Sequence, residues 1–276
     1  MNIPKLKTHP AVFSRLFGLT PAQFNTLVAE LEPRWQQAEH RRKTRYQRKI
    51  KVGSGRPYRL TFEQMVGMYL LYARTYINHV FLGELFRIDN SGVCRYFRKL
   101  EPVLKQRFKP LRIRKINLSE QEIIGLIVDA TEQPTERRRG TGYSGKQKRQ
   151  TIKTQIVVNA RGHIIHVSRS VPGNQHDKKL FDQTRLKLPR QAKLLGDLGY
   201  LGASGVSLPH KSSKLKLLTL KQKAYNQRHA QGRIIVEHVF AHLKQWQILA
   251  QRFRNSLDTY HQIFSTICGL RNFAAA

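Results

Sequence analysis

The feature that most constrains this chain is a change of hydrophobic rhythm near residue 112. Upstream, apolar residues recur at three- and four-residue steps, as in Val93, Phe97, Leu100 and Leu104. That is the stripe of a helix with one buried face. Downstream come short β-rich runs bounded by turn residues, beginning with IIGLIVDAT (123–131). One switch from helices to strands mixed with helices predicts an α/β protein of two domains. The expected division is an all-helical domain at 1–110 and a mixed-sheet domain at 111–276.

Charge narrows the partner. Lys and Arg number 50 against 17 acids, a net charge of +33, and they run from Lys5 to Arg271 rather than forming a tail. Such a surface suits a polyanion, with nucleic acid the first candidate. Hydrophobic residues make up 40% of the chain, enough for a core, so a disordered basic arm is excluded. The two cysteines, Cys94 and Cys268, form no C-x-x-C pair, which points away from a structural zinc site and toward a reducing compartment. With no apolar run of membrane-spanning length and no apolar signal core in MNIPKLKTHP, the expected location is cytoplasmic, associated with the nucleoid.

Within the first domain, residues 1–35 carry a helical pattern with Thr20 and Pro21 as a cap and first-turn pair. Residues 36–59 are basic and lack apolar runs, which reads as a solvated linker or a strap over DNA phosphates. Three helices are expected over about 60–105: one behind Thr61, one in INHVFLGELF, and one behind Asp89, Asn90 and Ser91. On the last, Ser91, Arg95 and Arg98 share a face, with Lys99 beside it. A short helix, a tight turn and a helix with a basic face make a helix-turn-helix pattern. An ordinary bundle with solvated charges has the same pattern, and the net charge favours the DNA-binding reading.

In the second domain a hairpin is expected over 149–172, turning at Asn159 to Gly162. A helix at 176–188, short strands at 192–200 and 206–210, a long helix from near Arg233 and another over 257–273 follow. The last 94 residues hold 15 Lys and Arg but only three acids, Asp197, Glu237 and Asp258. Asp197 and Glu237 sit in apolar segments, as does Asp129 upstream. Carboxylates at such positions are costly unless paired or bound to metal. Phosphodiester chemistry uses divalent ions held by oxygen ligands to stabilise attacking and leaving oxygens. Asp129 at the end of one strand, Asp197 at the end of another and Glu237 on a helix would supply them. Arg233, Glu237 and Lys244 fall within about 40° of one another on a helix, placing an acid between two cations. A solvated Arg233–Glu237 pair is the plainer alternative on spacing alone.

The order VDATE, YSGKQKRQTIKTQIVV, PGNQHDKKLFDQT, LLGDLGYLG, RIIVEHVFAHLKQW resembles bacterial insertion-sequence transposases of the DDE type, in the branch related to PIF/Harbinger-like transposases. The resemblance covers about 60–276. It implies an RNase H-like catalytic fold, with Asp129, Asp197 and Glu237 as catalytic residues and ligands of two Mg²⁺ or Mn²⁺ ions. The family pattern Arg-x3-Glu-x6-Lys falls on Arg233, Glu237 and Lys244. Its Tyr-x2-Arg-x3-Glu extension does not, because Ala230 stands at the tyrosine position.

Other candidates are weaker. GTGYSGK (140–146) approaches a phosphate-binding loop, but Gln147 replaces the metal-holding hydroxyl, and a basic hairpin tracking DNA through Lys146, Lys148 and Arg149 fits better. Asp177 is a rival acid whose position at a helix start favours a capping role. Ion pairing accounts for Glu132 and Glu136, and Asp258 reads as a surface or cap residue. His238 and His242 lack a third ligand, while His163 and His166 point to opposite strand faces. The expected function is a transposase that binds insertion-sequence ends and performs metal-dependent cleavage and strand transfer. Its partners would be double-stranded DNA, at transposon ends and target, and further copies of itself in a homodimer or larger assembly on DNA. The alternative is a transposase-derived DNA-binding protein without catalysis.

Overall fold

The computed structural model describes residues 1–44, 57–109, 111, 124–186, 192–213 and 217–275. Two compact units emerge. The first is Met1–Lys109 with Trp246–Ile248, and the second is Pro110–Gln245 with Leu249–Ala276.

The first unit is helical: α1 (Ile3–Lys7), α2 (Pro10–Phe17), α3 (Pro21–Thr44), α4 (Phe62–Thr75), α5 (His79–Phe86) and α6 (Asn90–Arg107). Phe13, Phe17 and Phe24 meet edge to face and tilted in its core, at centroid separations of 4.5 to 5.9 Å. Thr61 caps α4 in a full capping box with Gln64. Asn78 caps α5 and Asp89 caps α6. The predicted stripe Val93, Phe97, Leu100 and Leu104 is buried. The turn between α5 and α6 folds tightly over Gly83, whose carbonyl accepts from Arg87 and Ile88. A Cβ on Gly83 would stand 2.6 Å from the Ile88 carbonyl oxygen, so only glycine admits this approach.

Helix α3 corrects the expected linker. It runs through Pro33 to Thr44, where a loop was expected from residue 36; residues 45–56 lie outside the described set. Its last turns, QQAEHRRKT, are good helix formers without an apolar stripe, so periodicity misses them. Glu39 anchors them. It is 7% exposed, takes both Nε and Nη2 of Arg42 at 2.9 Å, and accepts from the Tyr58 hydroxyl at 2.5 Å. Burial works against its charge, but the hydrogen bonds from Arg42 and Tyr58 and the charges of Arg42 and Lys99 hold it down to about 2, from the usual 4.5. A depressed carboxyl contributes stability that is present above the unfolded value of 4.5 and lost as pH falls toward 2. Glu39→Gln is expected to cost about 3 kcal/mol at pH 7, and less at pH 3.5. Urea unfolding at the two pH values measures this, and equal losses would mean that packing rather than charge is responsible.

The second unit is a seven-stranded mixed sheet: β1 (Ile124–Pro134), β2 (Gly142–Ser144), β3 (Arg149–Val158), β4 (Ile164–Val167), β5 (Val171–Pro172), β6 (Lys193–Leu195) and β7 (Val206–Ser207). The order is β2-β3-β1-β6-β7, with β4 and β5 also on β3. β1 and β3 pair antiparallel from Ile127–Val158 to Pro134–Thr151, while β6 joins β1 in parallel and β7 joins β6 in parallel. The hairpin expected over 149–172 is present, with Gly162 left-handed at its turn (φ 76°). Alternation splits the sheet. Leu126, Val128, Val157, Ile165 and Leu194 form one core with Tyr200, packed by Phe181 of α7 (Asp177–Thr184). Ile127, Asp129, Ile156 and Val158 take the other face.

Helix α8 (Leu220–Lys244) starts earlier than expected. Thr219 and Gln222 form a capping box thirteen residues ahead of Gly232, in a stretch read as irregular. Its first turns are largely exposed; His229 is buried, and the apolar part of the buried stripe gathers at Val236, Val239 and Leu243. The helix stops at Lys244, and α9 (Gln247–Ala250) and α10 (Leu257–Ala275) follow. No described helix is long and apolar enough to cross a membrane.

Candidate active site

The site grows from the meeting of β1 and β6. Their last registered pair is Ile127 with Leu195. Two residues beyond it on one strand is Asp129, and two beyond on the other is Asp197. Asp129 does not end its strand as expected. β1 continues to Pro134 because β3 goes on pairing with it after β6 has turned away. The carboxylate of Asp129 accepts from the Ala130 amide at 2.7 Å and from Arg233 Nη2 at 3.0 Å. Arg233 therefore reaches into the sheet, and the solvated Arg233–Glu237 pair is not formed among the described contacts. Burial pushes Asp129 up to about 6; Arg233 opposes this, and the charges of Asp197 and Asp177 add to it.

Asp197 accepts from the Gly199 amide at 2.9 Å, capping the 3-10 turn Leu198–Tyr200. Asp177 departs from its expected role. No side chain caps the start of α7, and Asp177 instead takes Lys153 Nζ at 2.8 Å. Lys153 is 9% exposed and also donates to the Gln175 carbonyl at 2.8 Å, with Glu132 at 3.3 Å. Sequence reading passed over this lysine, although a cation inside the apolar strand TIKTQIVV signals a buried partner. Glu132 also accepts from Thr151 Oγ1 at 2.9 Å, and Lys244, whose pKa burial lowers, lies 3.4 Å from the Glu132 carbonyl.

The charges of Asp177 and Asp197 reach Asp129, with Arg233 paired to Asp129 and Lys153 paired to Asp177. Glu237 is exposed one turn beyond Arg233 and bonds to no described side chain. Among the described residues no three His, Cys, Asp or Glu side chains are close enough to enclose a metal ion. The donor set still fits a hard divalent cation: it offers carboxylate oxygens only, and it holds a buried acid whose charge is poorly compensated.

The predicted DNA-facing residues fall on two surfaces. On α6, Ser91, Arg95 and Arg98 are exposed and Lys99 is half-buried. Arg95 pairs with Asp89 at 3.3 Å, and Lys99 donates to the Tyr58 hydroxyl at 2.9 Å. A cavity of about 370 Å³ opens between Tyr58, Arg59, Asp89, Arg95, Tyr96 and Lys99. Lys146, Lys148 and Arg149 are exposed at the β2–β3 turn, a hairpin rather than the strand-to-helix turn of a phosphate-binding loop. Glu136 pairs with Arg138 and Arg252, Asp258 lies in the first turn of α10, and His238 and His242 are exposed.

A helical unit with a capped helix-turn-helix, and a mixed sheet in which Asp129 and Asp197 follow the last registered pair of two parallel strands, define a protein of the RNase H-like fold class with a helix-turn-helix domain. The chain belongs to the DDE superfamily of endonucleases: the family model "DDE superfamily endonuclease" matches residues 128–272, and "Helix-turn-helix of DDE superfamily endonuclease" matches residues 58–110. The chain is 30% identical over 287 residues, covering 100% of itself and 99% of the relative, to a protein of Microchaete diplosiphon named a probable transposase for insertion sequence element IS702. It is 30% identical over 270 residues, covering 97% of itself and 96% of the relative, to a protein of Streptomyces albus G named "Putative transposase for insertion sequence element IS112". No solved structure matches it. Membership implies DNA binding and dependence on a divalent metal.

Proposed function

We propose that this chain is the transposase of an insertion sequence, cleaving DNA at the element's ends and joining the freed 3′ ends to a target. The observation that carries the proposal is the matched offset of Asp129 and Asp197 on adjacent parallel strands, with Arg233 reaching from α8 to the first. Asp129, Asp197 and Glu237 are the residues that would hold Mg²⁺ or Mn²⁺, two ions in this reading. When bound, the ions activate the attacking oxygen and neutralise charge on the leaving one. Arg233 restrains the Asp129 carboxylate and screens it while DNA approaches. Lys244 stands on the same helix to meet a neighbouring phosphate. The basic β2–β3 turn tracks the backbone, and Ser91, Arg95, Arg98 and Lys99 set the register on the element's ends. Two ends must be held together, which calls for at least two copies on DNA, within the nucleoid.

The test is strand cleavage on a plasmid carrying the gene with its native flanks. Purified protein should break the flanks with Mg²⁺ or Mn²⁺ and not with chelator, and Asp129→Ala, Asp197→Ala and Glu237→Ala should each abolish the breaks. Cleavage retained in all three variants would refute the site. Tight binding without cleavage in either metal would favour a DNA-binding protein that has lost catalysis.

A further inference from the structure

We propose that the cavity between the segment ahead of α4 and the first turns of α6 takes one nucleotide that stands outside a base pair, its phosphate on Arg59, Arg95 and Lys99 and its base against Ile88 and Tyr96. The inference rests on the DNA-binding reading of the helical unit and goes beyond it, because a helix that reads a groove needs no such space. The cavity measures about 370 Å³, within the span of small-molecule pockets, about 300–1,000 Å³. A phosphate alone would leave most of it to water, whereas a phosphate with its sugar and base would occupy it.

The charge around this space is one-sided. Arg59, Arg95 and Lys99 line it against one acid, Asp89. That acid is already engaged: its Oδ1 accepts from the Gly92 amide at 3.0 Å as the cap of α6, and Arg95 Nη2 lies 3.3 Å from the same oxygen. An exposed pair of this kind holds Arg95 only weakly. Lys99 donates to the Tyr58 hydroxyl at 2.9 Å and to no carboxylate among the described residues. Burial, with the charges of Arg42, Lys43 and Arg95, lowers the pKa of Lys99 against the opposing charge of Glu39. Positive charge is therefore crowded around the cavity, and a bound phosphate would offset it.

The walls are fixed in advance. Tyr58 donates to buried Glu39 at 2.5 Å, and its ring centre is 5.8 Å from those of Trp35 and Tyr96. The Tyr96 hydroxyl oxygen accepts from the Arg59 and Leu60 amides at 3.1 and 3.4 Å. These bonds pin the segment carrying Arg59 to α6 and leave the hydroxyl hydrogen to be donated to a ligand. Lys99 lies 4.3 Å from the centre of the Tyr58 ring, so that face is taken and the base is left the side of Ile88 and Tyr96. Cations beside aromatic surface are the combination that holds unpaired nucleotides whatever the base. A helix face that only tracked a duplex would need its cations outward, with no aromatic-walled space between them.

The test is calorimetric titration of the full chain with thymidine 5′-monophosphate and, separately, with inorganic phosphate. The two carry similar charge and only the first has a base, so the monophosphate should bind and phosphate should bind far more weakly. Equal affinity for both would overturn the proposal and leave a phosphate contact only. Arg59→Ala should weaken the monophosphate about fivefold or more. Asp89→Asn keeps the cap and removes the cavity's acid, so it should strengthen binding about threefold, a gain that misfolding cannot produce. Unchanged affinity in Arg59→Ala, or weaker binding in Asp89→Asn, would overturn the site. Release of labelled single-stranded tetrathymidylate by the monophosphate, read by fluorescence anisotropy, would assign the nucleotide to an unpaired stretch of DNA. Monophosphate binding with these variant effects and no such release would assign a free nucleotide. A labelled blunt duplex of the element's end is the control. If it binds while monophosphate and tetrathymidylate do not, the cavity proposal fails and the DNA-binding reading stands. If no nucleic acid of any kind binds, that reading fails and takes the inference with it.

Discussion

Asp129→Asn will stabilise the metal-free protein at pH 7.5 while removing its cleavage activity. Burial raises this carboxyl from the usual 3.8 to about 6, against the opposing charge of Arg233. The folded state therefore holds a proton more tightly than the unfolded chain does. Stability from this group is full below pH 3.8 and is lost as pH rises through 6. At pH 7.5 the charged carboxylate costs the metal-free fold about 3 kcal/mol. Asparagine removes the charge and keeps an acceptor for Arg233, so a gain of about 1–3 kcal/mol is expected at pH 7.5, shrinking toward zero at pH 4. Cleavage should fall by about a thousandfold or more, the effect of losing several kcal/mol of charge stabilisation at the reacting phosphate. Thermal unfolding in chelator at the two pH values, beside the plasmid assay, measures both effects. A variant less stable at pH 7.5 would show that Asp129 serves as a structural partner of Arg233.

The same opposition explains which parts of the molecule could be read from sequence. Elements that bury a regular face are legible: the stripe on α6, the caps Thr61 and Asp89, and the β3–β4 hairpin each follow from local spacing. Elements without a buried face are not. The ends of α3 and the first turns of α8 are held by capping, helix propensity and ion pairs such as Glu39–Arg42, which leave no apolar period. The acids divide in the same way. An acid in an apolar run, as with Asp129 and Asp197, is conspicuous because isolated burial is costly. Asp177 is not conspicuous, because an acid at a helix start has the same local pattern whether it caps the helix or leaves it. The choice is made by Lys153, 24 residues away on β3, and only the folded sheet brings the two together. The length of β1 beyond Asp129 is likewise set by pairing with β3 and not by its own residues.

Removing the basic face of α6 should have the second large effect. With Arg95, Arg98 and Lys99 all replaced by Ala, the slope of log K against log salt should become shallower by about 2.7, if each cation meets one phosphate. At 0.15 M salt that corresponds to a loss of about a hundredfold in affinity for an element end. The three are not equivalent. Arg95 is already drawn to Asp89, and both side chains are more than half exposed, so that pair contributes little and can yield to phosphate. Lys99 lies 4.3 Å from the centre of the Tyr58 ring and donates to its hydroxyl, which fixes where its charge can be presented. Arg98 is exposed on the same helix and is the cation most able to reach a base edge. The triple variant should therefore lose preference for end sequence over scrambled DNA as well as affinity. A second triple variant, Lys146, Lys148 and Arg149 to Ala, should flatten the salt slope to a similar degree but weaken both duplexes equally, because a turn that tracks backbone reads no sequence. Fluorescence anisotropy on the two duplexes across a salt series separates these outcomes. If the α6 variant lost affinity with its preference for ends intact, sequence reading would have to be assigned to a surface other than this helix.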